Sequence, residues 1–318
     1  MTSLALVAGL VCTALAALGY LGRYEMDRPP IGVYTFPDIA VMAVAVAIVP
    51  VLYTHIPVAA IGTLFGLVLL VVLRATLQPI LPGPRATIAA IALLAGDAGL
   101  SMAGATGVTH SIYLLTNDLA LGIAVLGIAN LYVQSGMRAV HVAVFAALLA
   151  VYDYIATAVL PTTVDLVNRL AGRPFAPQIV VGTGTNMVGA GLGDALMLVL
   201  WALVAAKAFG RLPGYVGALV GAGSIGCILL GIRTGLITGA VPAMVVLGPL
   251  TVGQYLGWRT RRGTERPWQQ WRAGTEPSTA AIDDNDAFDK EVRRLVECMH
   301  GRSTPITTLP ERTESLEG

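Results

Sequence analysis

Two aspartates stand inside apolar stretches that are long enough to cross a membrane: Asp153 in AVYDYIATAV and Asp194 in GAGLGDALMLVL. A charged group inside a bilayer is costly, so a functional role is the default hypothesis for each acid. Asp153 lies about 22 Å along its helix from Arg138, and Asp194 lies about 20 Å from Lys207. The two stretches are consecutive and antiparallel. Their carboxylates therefore reach nearly the same depth, and we expect them to face each other.

Two carboxylates at one depth in a low-dielectric environment cannot both ionise easily. The pair is expected to hold a single proton and to titrate as a unit. The ionised carboxylate can then take a proton from water, while the protonated one donates to a carbonyl oxygen. This is the chemistry of an aspartic protease, with Asp153 and Asp194 as the catalytic residues. It needs no metal, nucleotide or covalent nucleophile, so neither a metal site nor a cofactor is predicted.

Two further acids in apolar stretches, Asp97 and Asp118, are interpreted differently. Asp118 lies about 30 Å from Arg138, near the outer interface, and is interpreted as an interfacial acid that water can solvate. Asp97 lies about 18 Å from Arg85 among small residues, in LLAGDAGLSMAGATG. A hydrogen-bonded structural acid is favoured there over a catalytic one.

Glycines alternate with other residues just before Asp194, at Gly189, Gly191 and Gly193. Without side chains there, another backbone can approach closely or the helix start can loosen. A substrate helix must unwind into an extended form before its peptide bond can be cut, and a glycine-rich entrance with exposed backbone donors could pair with such a strand. Just upstream, PQIVVGTGT at 177–185 has the β-branched residues of an edge strand.

The composition predicts a polytopic membrane protein. Of the 318 residues, 55% are hydrophobic and only 12% charged, whereas soluble domains carry about 25% charged residues. The net charge of +1 gives no basic field for nucleic acid, and three scattered cysteines argue against a disulfide framework or a zinc site. The predicted fold class is all-α with nine transmembrane helices, at about 2–22, 37–54, 57–77, 86–105, 111–133, 138–160, 184–207, 213–232 and 235–257.

Basic residues near the ends of these spans set the expected orientation. The loops after spans 1, 3, 5 and 7, together with the tail, carry Arg23, Arg28, Arg74, Arg85, Arg138, Lys207, Arg211, Arg259, Arg261, Arg262 and Arg266. The opposite side carries Arg169, Arg173 and Arg233. The first side should therefore be cytoplasmic, which places the N-terminus and the 161–183 loop outside the cell membrane.

Short motifs around the two aspartates resemble those of the presenilin and signal peptide peptidase family of intramembrane aspartyl proteases. Tyr152-Asp153 resembles the YD motif of that family, Gly191-Leu192-Gly193-Asp194 its GxGD motif, and Pro242-Ala243 the start of its PAL motif. The resemblance implies a presenilin-like fold of nine spans and catalytic roles for the two aspartates. It assigns substrate binding to the other motif residues, Tyr152, Gly191, Leu192, Gly193, Pro242, Ala243 and Met244.

One motif position departs from the family pattern, since Met244 stands where the family has leucine. Methionine has a similar volume and is also apolar, so we expect the exchange to be tolerated. The orientation inferred from the arginines resembles that of signal peptide peptidases rather than presenilins. It implies substrates with cytoplasmic N-termini, such as type II transmembrane segments or remnant signal peptides, and no accessory protein.

Three other functions compete with this interpretation. The aspartates could form a structural pair between spans 6 and 7. A prepilin-type peptidase also uses a GxGD aspartate, but it has fewer spans and no Pro-Ala in the last one. A proton-coupled transporter could use Asp97, Asp153 and Asp194 as proton carriers, although such proteins are expected to show internal repeats, and none is evident.

The chain is predicted to divide into a nine-helix protease domain at 1–257 and a polar cytoplasmic tail at 258–318. The tail is expected to be mostly disordered, with one short amphipathic helix marked by Phe288, Val292, Leu295, Val296 and Met299. The predicted partners are transmembrane peptide or protein substrates and the lipid bilayer, with no nucleic acid. Homo-oligomerisation is left open.

Overall fold

The computed structural model describes residues 2–27, 34–104, 106–159, 162–182, 184–237 and 241–274. The helices are α1 (Thr2–Arg23), α2 (Phe36–Thr54), α3 (Val58–Leu77), α4 (Pro84–Met102), α5 (Val108–Gln134), α6 (Ala139–Tyr154), α7 (Thr162–Leu170), α8 (Leu192–Phe209), α9 (Arg211–Arg233), α10 (Met244–Arg262) and α11 (Trp268–Arg272). A π-helical turn, Ile155–Val159, continues α6. The strands β1 (Gln178–Val181) and β2 (Val188–Gly191) form an antiparallel hairpin between α7 and α8.

Eight of the helices in these ranges, α1 to α6, α8 and α9, are long and apolar enough to cross a membrane. Their outward faces carry large apolar side chains. On α2, for example, Val41, Val44 and Leu52 are exposed. Apolar surface of this extent is stable against lipid rather than water. The prediction of an all-α polytopic integral membrane protein is therefore confirmed, and eight described helices meet the requirement for a span.

The centre of the bundle is α8, which is buried on all sides. From Ala195 to Phe209 nearly every side chain is buried, and a helix that is apolar all round belongs in a core. Helices α1, α5, α9 and α10 pack around it. A Cβ on Gly214 of α9 would lie 2.6 Å from the Cβ of Ala206, so a glycine at that position lets the two helices approach closely.

A glycine also sets the contact between α6 and α10. A Cβ on Gly248 would lie 2.7 Å from the carbonyl oxygen of Ala146 and 2.7 Å from the Cβ of Ala150. Any side chain at this position would push the two helices apart. The contact holds the beginning of α10 against the end of α6, where Asp153 lies.

Two predicted spans begin later as helices than the hydrophobicity suggested. The predicted span 184–207 begins with a 3₁₀ turn, Gly184–Asn186, and the strand β2, and it is α-helical only from Leu192. In β2 the alternating glycines fit an extended backbone beside another strand. The predicted span 235–257 is helical from Met244, and this helix continues to Arg262. In both cases the residues directly before the helix, 188–191 and 241–243, are apolar but not helical.

The segment after α10 folds back onto the end of the bundle opposite Asp153. The first two backbone N–H groups of α6 have no partner within the helix. Both donate hydrogen bonds to the Glu265 carboxylate, at 2.7 and 3.0 Å. Trp268 is buried against the bundle. The predicted boundary after residue 257 therefore falls inside α10, and the chain is packed as far as α11. The predicted amphipathic helix at 288–299 lies outside the described residues.

Candidate active site

Asp153 lies in the last turn of α6, and its carboxylate accepts two hydrogen bonds. The backbone N–H of Met244 donates to Oδ2 at 3.1 Å, and the hydroxyl of Thr157 donates to Oδ1 at 3.1 Å. The first N–H groups of a helix lack intrahelical partners and carry partial positive charge, so the start of α10 suits a carboxylate. This contact places the Pro242-Ala243-Met244 segment directly against Asp153.

Asp194 lies in the first turn of α8 rather than in the middle of a span. It is three residues after the N-cap residue Gly191, a position from which an acid reaches back to the N-cap amide. Its carboxylate accepts a hydrogen bond from the Gly191 N–H. A Cβ on Gly191 would lie 3.0 Å from Oδ2 of Asp194, so the absence of a side chain at 191 leaves the carboxylate its space.

The fold brings the two predicted catalytic aspartates together at one end of the bundle. Asp153 in the last turn of α6 and Asp194 in the first turn of α8 interact electrostatically. Both residues are half-buried. They lie between the end of α6 and the beginnings of α8 and α10, so two helix N-termini supply partial positive charge to the pair.

The hairpin that precedes Asp194 has one occupied and one open edge. Val180 lies opposite Gly189 in the register, and the Val180 N–H points away from β2 to donate to Oδ1 of Asp118 at 2.9 Å. In an antiparallel pair, residues opposite each other direct their backbone groups the same way, both inward or both outward. The N–H and C=O of Gly189 therefore point outward from β2. Gly189 is exposed, and within the described ranges no hydrogen bond to these two groups is present.

The outer edge of β1 is closed by polar side chains of α5. The amide of Asn117 donates to the carbonyl oxygens of Ala176 and Gln178, at 3.2 and 3.0 Å, next to the Asp118 bond to Val180. The segment at 177–185 does contain the predicted strand, but both edges of that strand are occupied. The open edge belongs to β2, which leads into Asp194.

This arrangement also corrects the interpretation of Asp118. It was expected to be an interfacial acid solvated by water. Instead it is half-buried and accepts a hydrogen bond from the backbone N–H of Val180 in β1. Position along the helix alone could not reveal this partner, because the loop that supplies it lies about 60 residues further along the chain.

Asp97 of α4 is fully buried, away from Asp153 and Asp194, and it binds the loop that leads into β1. Its Oδ2 accepts a 2.8 Å hydrogen bond from the backbone N–H of Phe175. Phe175 has a φ of 61°, which is strained for a residue with a side chain, and its ring packs over Gly66 of α3. The expectation of a hydrogen-bonded structural acid agrees with this contact.

The other predicted site residues surround the pair. Leu192 is the first helical residue of α8, and its N–H donates to the carbonyl of Pro177 at 3.1 Å, which closes the base of the hairpin. Gly193 is exposed, with open space at its Cβ position. Pro242 and Ala243 are half-buried, and their carbonyls accept the first hydrogen bonds of α10. Tyr152 is half-buried beside Asp153.

Sequence reasoning missed two kinds of residue at this site. Thr157 was not singled out, although it lies four residues after Asp153 and such pairs share a helix face. Asn117 and Phe175 were not expected to support the hairpin, and no local pattern marks them, because their partners are distant in sequence.

In the described part of the chain, no group of three His, Cys, Asp or Glu side chains is arranged to hold a metal ion.

No protein-family model matches the chain, and no curated protein matches it. The geometry of the described residues and the motifs that they carry are therefore what bears on the function of the protein.

Proposed function

We propose that this protein is an intramembrane aspartyl endopeptidase that hydrolyses peptide bonds within transmembrane segments. The observation that carries the proposal is the approach of Asp153 and Asp194 from separate helices, beside an open strand edge. In this proposal α10 is the ninth span, with the N-terminus outside and the tail in the cytoplasm. The resemblance to presenilins and signal peptide peptidases supports the same assignment.

The proposed mechanism uses one proton shared by the two carboxylates. The ionised aspartate takes a proton from a water molecule, whose oxygen attacks the carbonyl carbon of the scissile bond. The protonated aspartate donates its proton to the carbonyl oxygen, giving a neutral tetrahedral intermediate. When this intermediate collapses, the nitrogen takes a proton from the aspartate that gained one from water, and the C–N bond breaks. One hydroxyl of the intermediate returns its proton to the other aspartate, so the products are a carboxylic acid and an amine, and the pair again holds one proton. The N–H of Met244 and the hydroxyl of Thr157 position Asp153 throughout.

The open edge of β2 supplies a place for the substrate backbone. A helical substrate conceals its peptide bonds, whereas an extended segment can add to an exposed strand edge through backbone hydrogen bonds. The outward N–H and C=O of Gly189 offer such bonds, and Gly189 lies five residues before Asp194. Pairing there fixes the substrate strand relative to the carboxylates and exposes one bond to them.

The proposed substrates are type II transmembrane segments or remnant signal peptides. Their cytoplasmic N-termini follow from the proposed orientation, in which the aspartates lie nearer the outer side of the membrane. The exposed side chains of Val151 and Tyr154 at the end of α6, and of Ile155 in the π-helical turn that follows, suit a substrate that arrives through lipid.

The test is cleavage of a type II transmembrane peptide by the purified protein in liposomes, with the cut position read by mass spectrometry. A series of peptides then tests strand pairing. Each peptide carries one N-methyl group, which removes one backbone N–H, and the methylated position moves by one residue from peptide to peptide around the cut. Alternate residues of a strand point towards the partner edge, so the cleavage rate should fall with a period of two residues.

The result expected is a cut inside the apolar segment and an alternating pattern of lost rates. A cut confined to residues outside the membrane would contradict an intramembrane protease. A uniform loss across the N-methylated series would leave the protease assignment in place but remove the strand-pairing step.

A further inference from the structure

A cavity of about 720 Å³ lies at the end of the bundle opposite the aspartates, about 22 Å from Asp194 along α8. Four arginines line it, and we name it the arginine cavity: Arg211, Arg262, Arg266 and Arg272. No acidic side chain of the described residues is among its lining. Glu25, which is not among the lining residues, pairs with Arg272 at 2.8 Å, so one carboxylate offsets only part of this positive charge.

The N-terminus of α9 also borders the arginine cavity. The chain turns sharply from α8 into α9 at Gly210, which has a φ of 106° and serves as the N-cap residue without a side-chain cap. Gly210, Arg211, Leu212 and Pro213 all line the cavity. The first N–H groups of this 23-residue helix and its dipole therefore add to the attraction for an anion.

An apolar groove of about 430 Å³ continues from the arginine cavity between α1 and α9, and we name it the leucine groove. Its lining is mostly apolar, with Leu15, Leu18, Leu21 and Tyr215, and Gly19 leaves open space in the wall. Arg23 also lines it and adds a positive charge. The groove and the cavity share Gly22, Arg211 and Trp271 as lining residues, so the two spaces adjoin. Leu15 and Tyr215 are exposed on the side of the bundle that faces lipid.

The geometry points to a binding site for an anionic phospholipid, with the phosphate in the arginine cavity and an acyl chain in the leucine groove. Positive charge and a free helix N-terminus select a phosphate. The adjoining apolar groove selects a phosphate that carries a hydrocarbon chain, because a soluble phosphate compound would leave the groove without an apolar occupant. The site is separate from the aspartate pair and does not depend on the protease proposal.

Binding is measured by native mass spectrometry of the full-length protein in detergent, with three added probes. These are dioleoylphosphatidylglycerol, dioleoylphosphatidylcholine with the same acyl chains but no net charge, and inorganic phosphate. The anionic lipid should bind at least roughly tenfold more tightly than the zwitterionic one, since each arginine near an anionic headgroup contributes measurably.

Two pairs of variants locate the site. The double variant Arg211→Gln/Arg262→Gln should abolish the preference for the anionic lipid, whereas Arg233→Gln, at the other end of α9, should keep it. Gly19→Leu should fill the groove and weaken binding of the anionic lipid, whereas Gly9→Leu on the same helix should not. Both glycines have open space at the Cβ position, so both variants should fold.

Equal binding of the two lipids, or a preference that survives the double arginine variant, would overturn the proposal and leave the cavity to another occupant such as residues 275–318. Displacement of the anionic lipid by inorganic phosphate, with no effect of Gly19→Leu, would assign the cavity to a soluble phosphate compound instead. Because the readout is lipid binding, loss of proteolytic activity would not affect either conclusion.

Discussion

The backbone N–H of Met244 donates a 3.1 Å hydrogen bond to Oδ2 of Asp153, which joins the beginning of α10 to the end of α6. The third residue of the Pro-Ala-Met segment thus acts through its main chain, while its side chain is buried. A backbone donor is independent of side-chain identity. What matters at this position is that α10 begins at Met244 and lies against α6.

Substitution at Gly248 should weaken the hydrogen bond between Met244 and Asp153 indirectly, by moving α10. In Gly248→Ala the new Cβ would lie 2.7 Å from the Ala146 carbonyl oxygen, so α10 must shift away from α6 and the Met244 bond to Asp153 must lengthen. Overpacking of this kind costs about 1–3 kcal/mol. We expect a lower apparent Tm and a lower kcat for cleavage of a transmembrane peptide.

The matched control for this variant is Gly253→Ala on the same helix, where a Cβ meets open space. Alanine favours a helix over glycine, so the control should be neutral or slightly stabilised. Equal effects of the two substitutions on Tm and kcat would contradict the packing argument.

Met244→Leu should retain cleavage activity. The exchange keeps the backbone N–H that Asp153 accepts, and a buried methionine-to-leucine change usually costs less than about 1.5 kcal/mol. Rates of peptide cleavage for the two proteins test this directly. An inactive leucine variant with an unchanged Tm would show that the methionine side chain itself has a role.

Gly191→Ala should lower kcat because its Cβ would lie 3.0 Å from Oδ2 of Asp194 and displace the carboxylate. Gly193→Ala provides the comparison two residues on, where the Cβ position is open and Asp194 stays in place. The Gly193→Ala substitution should change only KM, because residue 193 is proposed to contact the substrate. The steady-state parameters of the two variants distinguish these cases, and a kcat loss confined to Gly193→Ala would contradict the geometry.

Eight of the nine predicted spans correspond to described helices that are long and apolar enough to cross a membrane, because hydrophobicity over about 20 residues is a strong signal. The sequence also identified the two aspartates that the fold brings together. Asp194 lies within a span as expected, but in the first turn of its helix rather than deep inside it, because the apolar residues of β2 continue into α8 without a break in composition. Hydrophobic content alone does not separate a strand from the start of a helix.

The supports of the hairpin could not be predicted from local patterns. Asn117, Asp118 and Asp97 bond to backbone groups between Phe175 and Val180, which are 59 to 78 residues away in the chain. Such contacts depend on the relative positions of α4, α5 and the loop. The short distance between Met244 and Asp153 likewise depends on how α6 and α10 pack against each other, with Gly248 at their contact.

Asp97→Ala should destabilise the loop that carries β1. Its removal leaves the Phe175 amide without its acceptor, at a residue whose positive φ is already strained, and an unsatisfied buried donor costs about 1–3 kcal/mol. We expect a lower apparent Tm and faster proteolysis between residues 171 and 177. Asp97→Asn keeps a carbonyl oxygen for the Phe175 amide and should behave nearly like wild type, so equal losses in both variants would argue for a role of the negative charge.

The most direct test of the aspartate pair compares cleavage of a type II transmembrane peptide by wild type, Asp153→Asn, Asp194→Asn and the double variant, all in liposomes. Asparagine keeps the shape of each side chain, and Asp97→Asn serves as the control. Each single dyad variant should lose roughly 10²–10⁴-fold in rate, the contribution typical of general acid–base catalysis. The double variant should be no slower than the slower single variant, because the two groups act as one unit. If either single variant folds and cleaves at the wild-type rate, the two aspartates do not form a catalytic pair.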